Sequence, residues 1–255
     1  MNLYELDNFF NDFLKKENYL SDPSRNGIQI QNSAPAEKQI KKIAFAVDAS
    51  EQTAGMAAAE NADVLVVHHG LFWGDCKTIT GSMYKRISTF LKSDLALIAY
   101  HIPLDANNPY GNNFGIANKL ELKNIEPFGL WRGMNIGAKG EFSKACSINE
   151  VAEQLKKVTG TECKVFDFGK KEIRTAGIIS GGASEDITQA VEHNLDLYIT
   201  GEFMHEDFHY AKEMKINVIS GGHYGTETIG VTLLKEKVEK ELGIQTVFID
   251  FATGL

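Results

Sequence analysis

The sequence predicts an α/β fold made of two α/β lobes, with largely parallel or mixed sheets and flanking helices. Strand-like apolar runs alternate with helical ones over residues 41–101, which is typical of a parallel sheet covered by helices. A second strand-helix-strand run begins at Ile173 and aligns weakly with the first. The length of 255 residues gives room for two modest lobes, each with a core of its own.

Five consecutive segments carry the first alternation. KKIAFAVD (41–48), DVLVVHH (63–69) and LALIAYH (95–101) are nearly continuous apolar runs, which predict buried strands. SEQTAGMAAAENA (50–62) and SMYKRISTFLKSD (82–94) lie between them and predict helices. The order implies strands that share a direction and end at the same edge of a sheet.

The alternation of predicted strands and helices is less regular in the middle of the chain. LKNIEPFGLWRGMNIGAKGEFS (122–143) is rich in glycine and predicts either a hairpin or a lobe boundary. INEVAEQLKKVTG (148–160) predicts a helix and KVFDF (164–168) a short strand. We therefore expect residues 1–124 with 218–255 to form one lobe and residues 125–217 to form the other.

The two strand-helix-strand runs are interpreted as a weak internal repeat. Residues 40–70 align with residues 173–203, and the histidine pair of the first copy aligns with Gly201 and Glu202. With so few identities, two independent units remain an alternative. The identical pairs that suggest the repeat are Ala57 with Ala190, Asn61 with Asn194, and Asp63 with Asp196.

Composition narrows the class of protein. The net charge is −8, and lysines and arginines cluster only in short pairs, so nucleic acid is disfavoured as the main partner. The first 20 residues predict an amphipathic helix and not a signal peptide, and no apolar run approaches a membrane span. The cysteines are odd in number, widely spaced and without a CxxC motif, which predicts reduced thiols and a cytoplasmic location: Cys76, Cys146 and Cys163.

Side chains of the kind that bind metals follow three predicted strands, where open α/β sheets usually bind ligands. Nitrogen and carboxylate ligands suit first-row divalent ions. One ion needs three or four ligands, so six candidate ligands favour two ions. Adjacent histidines could each bind one of these ions. The six residues are His68, His69, His101, Asp105, His223 and Glu227.

Each of these residues also has a purely structural interpretation. Neighbouring strand side chains point to opposite faces, so His68 and His69 could be one packed and one exposed histidine. His101 could pack or support other ligands, and Asp105 could form a turn. Glu227 could simply favour the start of a helix. These interpretations hold singly, whereas the clustering of all six favours a metal site.

Other chemical signatures are weaker or absent. The sequence has no HxHxDH, HExxH or GxSxG motif. His205 and His209 stand four apart on a predicted helix and could bind a metal by themselves, but a pocket-lining position is favoured. The turns SGGASE (180–185) and SGGHYGTE (220–227) could present backbone N–H groups to an anion such as phosphate.

Four motifs together resemble the Nif-three-like or YbgI-like family, also called GTP cyclohydrolase 1 type 2 homologs. They are ADVLVVHHGLFW, AYHIPLDA, DLYITGE and GGHYGTE, which occur in this order over most of the chain. SRNGIQI also resembles that family's WDNxGLQ motif, with Ser24 and Arg25 in place of Trp and Asp. The combination is specific, whereas each motif alone is not.

The resemblance implies a set of ligands and an assembly. It implies that two divalent ions are bound and that Glu227 bridges them. Mixed nitrogen and oxygen ligands without thiolate suit zinc, iron, manganese or nickel. The resemblance also implies a toroidal homohexamer, a trimer of dimers, with the sites facing an internal cavity. The implied ligands are His68, His69, Asp105, His223 and Glu227.

The family name implies hydrolysis of a nucleotide, namely opening of the guanine ring of GTP with loss of formate by a metal-bound hydroxide. His101, His205 and His209 are the candidates for proton transfer near neutral pH. The alternative is a non-enzymatic metal-binding or regulatory ring protein. The support for this alternative is mainly an absence, because the sequence shows no clear pocket for recognising guanine.

Overall fold

The first unit is built on a five-stranded sheet whose strands lie in the order β1 (Gly27–Ile30), β4 (Ala96–Ala99), β3 (Val64–His69), β2 (Lys42–Asp48) and β11 (Gln245–Phe248). In the computed structural model, which describes residues 1–255, this unit comprises residues 1–104 and 231–251. Strands β2, β3, β4 and β11 are parallel, and β1 is antiparallel to β4. Its helices are α1 (Leu3–Leu14), α2 (Glu51–Ala59) and α3 (Gly81–Lys92).

The central strands of this sheet are buried along nearly their whole length, as expected for a parallel sheet covered on both faces. Ile43 pairs with Val64 near the start of the β2–β3 ladder, and Asp48 pairs with His69 at its carboxyl end. The register of the sheet therefore brings a carboxylate beside the histidine pair.

The second unit comprises residues 105–230 and 252–255. The strands of its six-stranded sheet lie in the order β5 (Lys123–Trp131), β6 (Met134–Cys146), β8 (Ile173–Ile179), β9 (Leu197–Thr200), β10 (Asn217–Ser220) and β7 (Lys164–Phe166). Strands β8, β9 and β10 are parallel and the others pair antiparallel, so the sheet is mixed. The remaining helices are α4 (Ile102–Asp105), α5 (Asn112–Lys119), α6 (Ile148–Thr159), α7 (Ile187–Glu192), α8 (His205–Glu213) and α9 (His223–Leu242). A unit boundary falls within α4 and another within α9. None of the helices is long and apolar enough to cross a membrane.

The predicted α/β class, with one largely parallel and one mixed sheet, is confirmed. The glycine-rich middle segment forms a hairpin inside the second unit and not a boundary. Trp131 pairs with Met134, which leaves Arg132 and Gly133 as a two-residue turn with φ angles of 48° and 83°. Positive φ at both positions is what a type I′ turn between twisted strands requires.

The unit boundaries differ from those expected from the sequence. The sequence pattern predicts residues 1–124 with 218–255 as one lobe and residues 125–217 as the other. The structure instead divides the chain after Leu104 and after Gly230.

Pairing and packing explain this difference. Strand β10 pairs in parallel with β9 in the second sheet, and α5 packs on β6 and β8 of the same sheet. The second unit therefore contains Asp105, His223 and Glu227, whereas the sequence pattern predicts all three in the first lobe.

The two copies of the weak repeat have matching backbones, β2-α2-β3 and β8-α7-β9, each with a parallel strand pair. Asn61 and Asn194 both adopt the left-handed conformation, with φ of 54° and 53°. Asp63 accepts hydrogen bonds from the N–H groups of residues 41 and 42 at 2.7 and 3.2 Å. Asp196 accepts them from the aligned residues 174 and 175 at 3.0 and 3.2 Å. These matches favour a repeat over two independent units.

Candidate metal centre

His68 and His69 end strand β3. Side chains of adjacent strand residues normally point to opposite faces, yet the centroids of these two rings lie 4.6 Å apart. Regular strand geometry stops at His69, and Gly70 packs so closely on Gln29 that a Cβ atom would overlap its side-chain amide. The rings can converge because the chain leaves the strand at this point. His68 is buried and His69 half-buried, so neither is a plain surface histidine.

A third histidine joins this pair from the next strand of the sheet. His101 follows β4, and its ring centroid lies 5.0 Å from that of His68 and 5.7 Å from that of His69. One ligand-type nitrogen from each of the three rings lies within 4.8 Å of the other two. The parallel strands of the first unit thus gather three imidazoles at their carboxyl ends, as the sequence predicts.

The Nδ1 atoms of these rings contact oxygen acceptors. His68 Nδ1 lies 3.1 Å from the backbone carbonyl of Tyr100 and His69 Nδ1 lies 2.9 Å from Asp48 Oδ1. His101 Nδ1 lies 3.0 Å from Asp22 Oδ1. A carbonyl or carboxylate oxygen only accepts hydrogen bonds, so each Nδ1 carries the hydrogen and the neutral ring keeps its lone pair on Nε2. Metal-binding histidines commonly have this arrangement.

Asp22 holds His101 in place. Its side chain is fully buried, and Oδ2 accepts hydrogen bonds from Asn26 Nδ2 at 2.8 Å and from the Ile102 N–H at 3.1 Å. Asn26 Oδ1 in turn accepts a hydrogen bond from the His101 N–H at 2.8 Å. Burial acts to raise the pKa of Asp22, but its hydrogen bonds, the one from His101 first, outweigh burial and lower that pKa. Asp22 is therefore a carboxylate acceptor for the His101 ring.

Trp73 packs against the histidine group within the first unit. Its ring centroid lies 4.9 Å from that of His101, edge to face, and 5.9 Å from that of His69. The indole N–H donates to the Gly70 carbonyl at 2.9 Å. Arg25 holds the same loop through hydrogen bonds to the Phe72 and Gly74 carbonyls. An apolar ring thus borders the imidazoles and reduces their exposure to water.

In the second unit, Asp105 is a buried carboxylate. Its Oδ1 accepts hydrogen bonds from Asn112 Nδ2 at 2.8 Å and Ser180 Oγ at 3.0 Å. A carboxylate oxygen of Asp105 lies within 4.8 Å of one of Glu227. Two buried carboxylates this close repel each other, and a divalent cation would offset the repulsion.

His223 and Glu227 lie four residues apart in the first turns of α9. His223 Nε2 lies 3.2 Å from Glu227 Oε1, and His223 Nδ1 lies 2.5 Å from Glu202 Oε1. Burial acts to lower the pKa of His223, but hydrogen bonds to Glu227 and Glu202 and their negative charges outweigh it and raise the pKa from 6.5 to about 9. Without a metal ion, the second unit holds a proton at this ring near neutral pH.

The glycines near α9 allow close packing. Gly181 has a φ of 66°, and a Cβ atom there would overlap Glu227 Oε1. A Cβ atom on Gly201 would lie 2.8 Å from the Cα atom of His223. These two positions therefore require glycine because the ligand-bearing end of α9 approaches the backbone so closely.

The expectation that both Gly-Gly turns present free N–H groups to an anion is wrong for the groups nearest the candidate ligands. The Gly181 N–H donates to Thr226 Oγ1 at 3.1 Å. The Gly221 and Gly222 N–H groups donate to the carbonyls of Thr200 and Gly201 at 2.9 and 3.0 Å. These N–H groups donate hydrogen bonds within the second unit and are therefore not available to an anion.

His205 and His209 lie on α8 in the second unit, and both are exposed. The ring of His209 packs edge-on against Phe208, with centroids 5.5 Å apart. Neither histidine belongs to a group of metal-type ligands. Of the three histidines expected to transfer protons, only His101 lies beside other candidate ligands.

The residues that orient these ligands are not among the site residues predicted from the sequence. Asp48 ends the first predicted strand, Glu202 aligns with His69 in the repeat, and Ser180 follows a predicted strand in the SGGASE turn, so all three lie at strand ends. Asp22 and Asn112 lie in segments with no comparable signal, and their roles depend on tertiary contacts.

A family model described as Duf34/NIF3 (NGG1p interacting factor 3) matches residues 1–254. The chain belongs to the Duf34/NIF3 family. The resemblance recognised in the sequence motifs is therefore confirmed.

Two relatives of this NIF3-family chain share the name GTP cyclohydrolase 1 type 2 homolog. The protein from Deinococcus radiodurans is 44% identical over 234 residues, covering 92% of this chain and 88% of its own. That from Archaeoglobus fulgidus is 42% identical and matches both chains over their whole length.

Solved structures agree with the NIF3-family fold. TTHA1606 from Thermus thermophilus superposes with a TM-score of 0.91 at 34% identity, covering both chains completely. Reduced HcgD from Methanocaldococcus jannaschii superposes with a TM-score of 0.87 at 26% identity, covering 98% of each chain.

The residues of this NIF3-family chain fit divalent metal ions. The ligand set contains imidazole nitrogens and carboxylate oxygens without thiolate, which suits zinc, iron, manganese or nickel. Each candidate histidine has an oxygen acceptor at Nδ1. Glu227 lies close to both other candidate ligands of its unit, Asp105 and His223, as a bridging carboxylate would.

Proposed function

We propose that this chain binds two divalent metal ions and uses them to hydrolyse a nucleotide, opening the guanine ring of GTP. The observation that carries the metal-binding part is the orientation of every candidate histidine by an acceptor at Nδ1. The choice of GTP comes from the shared name of the relatives. In this proposal the ligands are His68, His69, Asp105, His223 and Glu227, with Glu227 bridging.

Side chains next to the proposed metal ligands would orient those ligands and control their protonation. When bound, divalent ions activate water and polarise the group under attack, which hydrolysis of a guanine ring requires. Asp48 and Glu202 hold the rings of His69 and His223, while Asn112 and Ser180 hold the carboxylate of Asp105. His223 must lose its proton before its Nε2 atom can bind an ion.

Turnover of GTP by metal-loaded protein tests this proposal. Protein loaded separately with zinc, manganese, iron or nickel is incubated with GTP, and formate release is measured beside GTP consumption. We expect equal amounts of both, with no turnover by chelator-treated protein. ATP is the control nucleotide, because its base differs while its triphosphate is the same.

A second panel covers simple phosphoesters and amides. Protein that holds two ions but turns over none of these compounds would overturn the hydrolase proposal. The chain would then be a metal-binding or regulatory protein without catalysis.

A further inference from the structure

The second unit contains a pocket beside the start of α9. The pocket has a volume of about 310 Å³, and all the residues that line it belong to this unit. Pockets for small ligands have volumes of about 300–1,000 Å³, so this one suits a single ring system better than an entire nucleotide. Glu202, which orients His223, forms part of its wall.

The pocket lies across the ends of three neighbouring strands. In the second sheet β10 lies between β9 and β7, and Ser220 pairs with both Thr200 and Lys164. Strands β9 and β10 end at this row, which is where α/β sheets usually bind ligands, and the antiparallel β7 begins there. Two spacings of ~4.7–4.9 Å separate the β9 side from the β7 side. A flat ligand that lies across the end of β10 can therefore contact both sides.

The β9 side of the pocket is apolar beyond Glu202. Phe203 and Met204 line it, and Met204 is 45% exposed. The ring of Phe166 packs edge-on against that of Phe203, with the centroids 4.8 Å apart, and holds it in place. Aromatic rings and thioethers make favourable contacts with other aromatic rings, and nucleobases stack on aromatic side chains. This side of the pocket therefore favours a heteroaromatic ligand.

The β7 side carries two charged groups that can recognise the edge of such a ring. Glu162 and Lys164 both line the pocket. Glu162 pairs with Lys156 at 2.5 Å, and its carboxylate can accept further hydrogen bonds. Guanine presents two adjacent donors, N1–H and the N2 amino group, beside the acceptor O6. A carboxylate can accept from both donors while an ammonium group donates to O6, whereas adenine has an acceptor at N1 and no amino group at C2.

The charges of the pocket decide which end of a nucleotide enters it. Its wall has two carboxylates, of Glu162 and Glu202, and one ammonium group, of Lys164. The Gly222 N–H, at the start of α9, already donates to a backbone carbonyl. A triphosphate is repelled by a wall with more negative than positive charge, whereas a neutral base is not. The base is therefore the part of the nucleotide that fits.

We infer that this pocket binds the guanine base of the substrate, with Glu162 and Lys164 recognising its N1–H, N2 and O6 edge and Phe203 contacting its ring. This inference rests on the proposed function, which supplies the choice of a guanine nucleotide. With that edge on the β7 side, the imidazole part of the base lies toward Glu202, beside the candidate metal ligands of this unit. That part contains the carbon that is released as formate when the ring opens.

Binding of nucleosides to the full-length chain tests the inference without turnover. Guanosine, inosine and adenosine are titrated by calorimetry into metal-free protein, and the series is repeated with zinc-loaded protein. We expect guanosine to bind at least ~10-fold more tightly than adenosine, whose edge does not match the two charged groups. Inosine should lie between them, because it keeps N1–H and O6 but lacks the N2 amino group.

Three single variants should change this binding while the metal content stays native. Glu162→Gln removes the carboxylate acceptor and Lys164→Gln removes the ammonium donor, so each should weaken guanosine binding by at least ~10-fold and reduce the preference over adenosine. Phe203→Leu should weaken both nucleosides by ~5–150-fold, because stacking does not depend on the identity of the base. In metal-loaded protein, Glu162→Gln should raise the KM for GTP.

Matched controls come from the same unit. Glu172→Gln changes an exposed glutamate and Phe168→Leu a phenylalanine that packs on Phe166, and neither residue lines the pocket. Both controls should bind guanosine as the native chain does. Circular dichroism shows whether each variant folds. If Phe203→Leu does not fold, the half-exposed Met204→Ser takes its place.

Two results would overturn the inference. One is a native chain that binds no guanosine or binds all three nucleosides equally. The other is a native preference for guanosine in both Glu162→Gln and Lys164→Gln. If the chain still holds two ions and releases formate from GTP in either case, the proposed function stands and the base binds elsewhere. Guanosine selectivity that depends on Glu162 and Lys164, without turnover of GTP, would support the pocket and overturn the hydrolase proposal alone.

Discussion

The Nδ1 atom of His223 lies 2.5 Å from Oε1 of Glu202. In the repeat alignment, Glu202 occupies the place of His69 in the first copy. One copy thus contributes a candidate ligand at this strand end, whereas the other contributes the carboxylate that orients one. The same position of the fold therefore has a different proposed role in each copy, as a metal ligand in the first and as an orienting carboxylate in the second.

The first prediction concerns the protonation of His223. Its pKa is raised from 6.5 to about 9, so its contribution to stability is fully present below about pH 6.5 and is lost as the pH rises through about 9. Histidine signals followed by NMR in metal-free protein should show this titration near pH 9. Glu202→Gln should lower the titration midpoint, and metal affinity should rise with pH over the same range. A native midpoint at or below 6.5 would show that the carboxylates do not control this ring.

The second prediction concerns the equivalent aspartates of the repeat. Asp63 and Asp196 each accept hydrogen bonds from two consecutive backbone N–H groups at the start of the preceding strand. Replacing either with alanine leaves those donors without their acceptor, so each change should lower the free energy of unfolding by about 1–3 kcal/mol. Urea denaturation measures both, with Asp167→Ala as an exposed-loop control. A loss at only one position would contradict their structural equivalence.

The third prediction concerns Asp186. Burial raises its pKa to about 6, the Glu185 charge acts in the same direction, and the Gln189 hydrogen bond opposes it. A raised carboxyl pKa favours folding below about pH 3.8, and this contribution is lost as the pH rises through about 6. Asp186→Asn should therefore stabilise the protein by about 1 kcal/mol at pH 8, after allowance for partial exposure, and have little effect at pH 4. Equal effects at both pH values would exclude ionisation as the cause.

The fourth prediction concerns assembly. We propose a closed ring of six copies, as the family resemblance implies for an acidic chain of this kind. Light scattering at micromolar concentration should give six times the chain mass of 28.2 kDa. A monomer mass under those conditions would contradict the ring.

The candidate ligands could be predicted from the sequence because they follow apolar runs. DVLVVHH and LALIAYH identify buried strands, and parallel strands bring their carboxyl ends to one edge, so His68, His69 and His101 had to lie near one another. The unit boundaries could not be predicted in the same way. The sequence NVIS (217–220) predicts a buried strand that would fit either unit. Only the pairing of this strand with β9 assigns it to the second unit.

The orienting residues could not be predicted from the sequence for a similar reason. Asp22 acts on His101 from 79 positions away, and Ser180 acts on Asp105 from 75 positions away. Isolated aspartates and serines are common in loops, so nothing in their local sequence marks them as partners of a ligand. Tertiary packing alone brings each of these pairs together.

Metal titration of the native chain beside its ligand variants tests the two-ion proposal most directly. Calorimetry and elemental analysis with zinc or manganese should give two ions per chain. Glu227→Gln should weaken both ions together, because the bridging charge that offsets two cations is lost. His68→Ala or His69→Ala should leave the remaining ion more nearly intact. A metal content near zero after incubation with zinc, manganese and iron would contradict the account. Native two-ion binding by Glu227→Gln, with loss of both ions in each histidine variant, would contradict the bridging role.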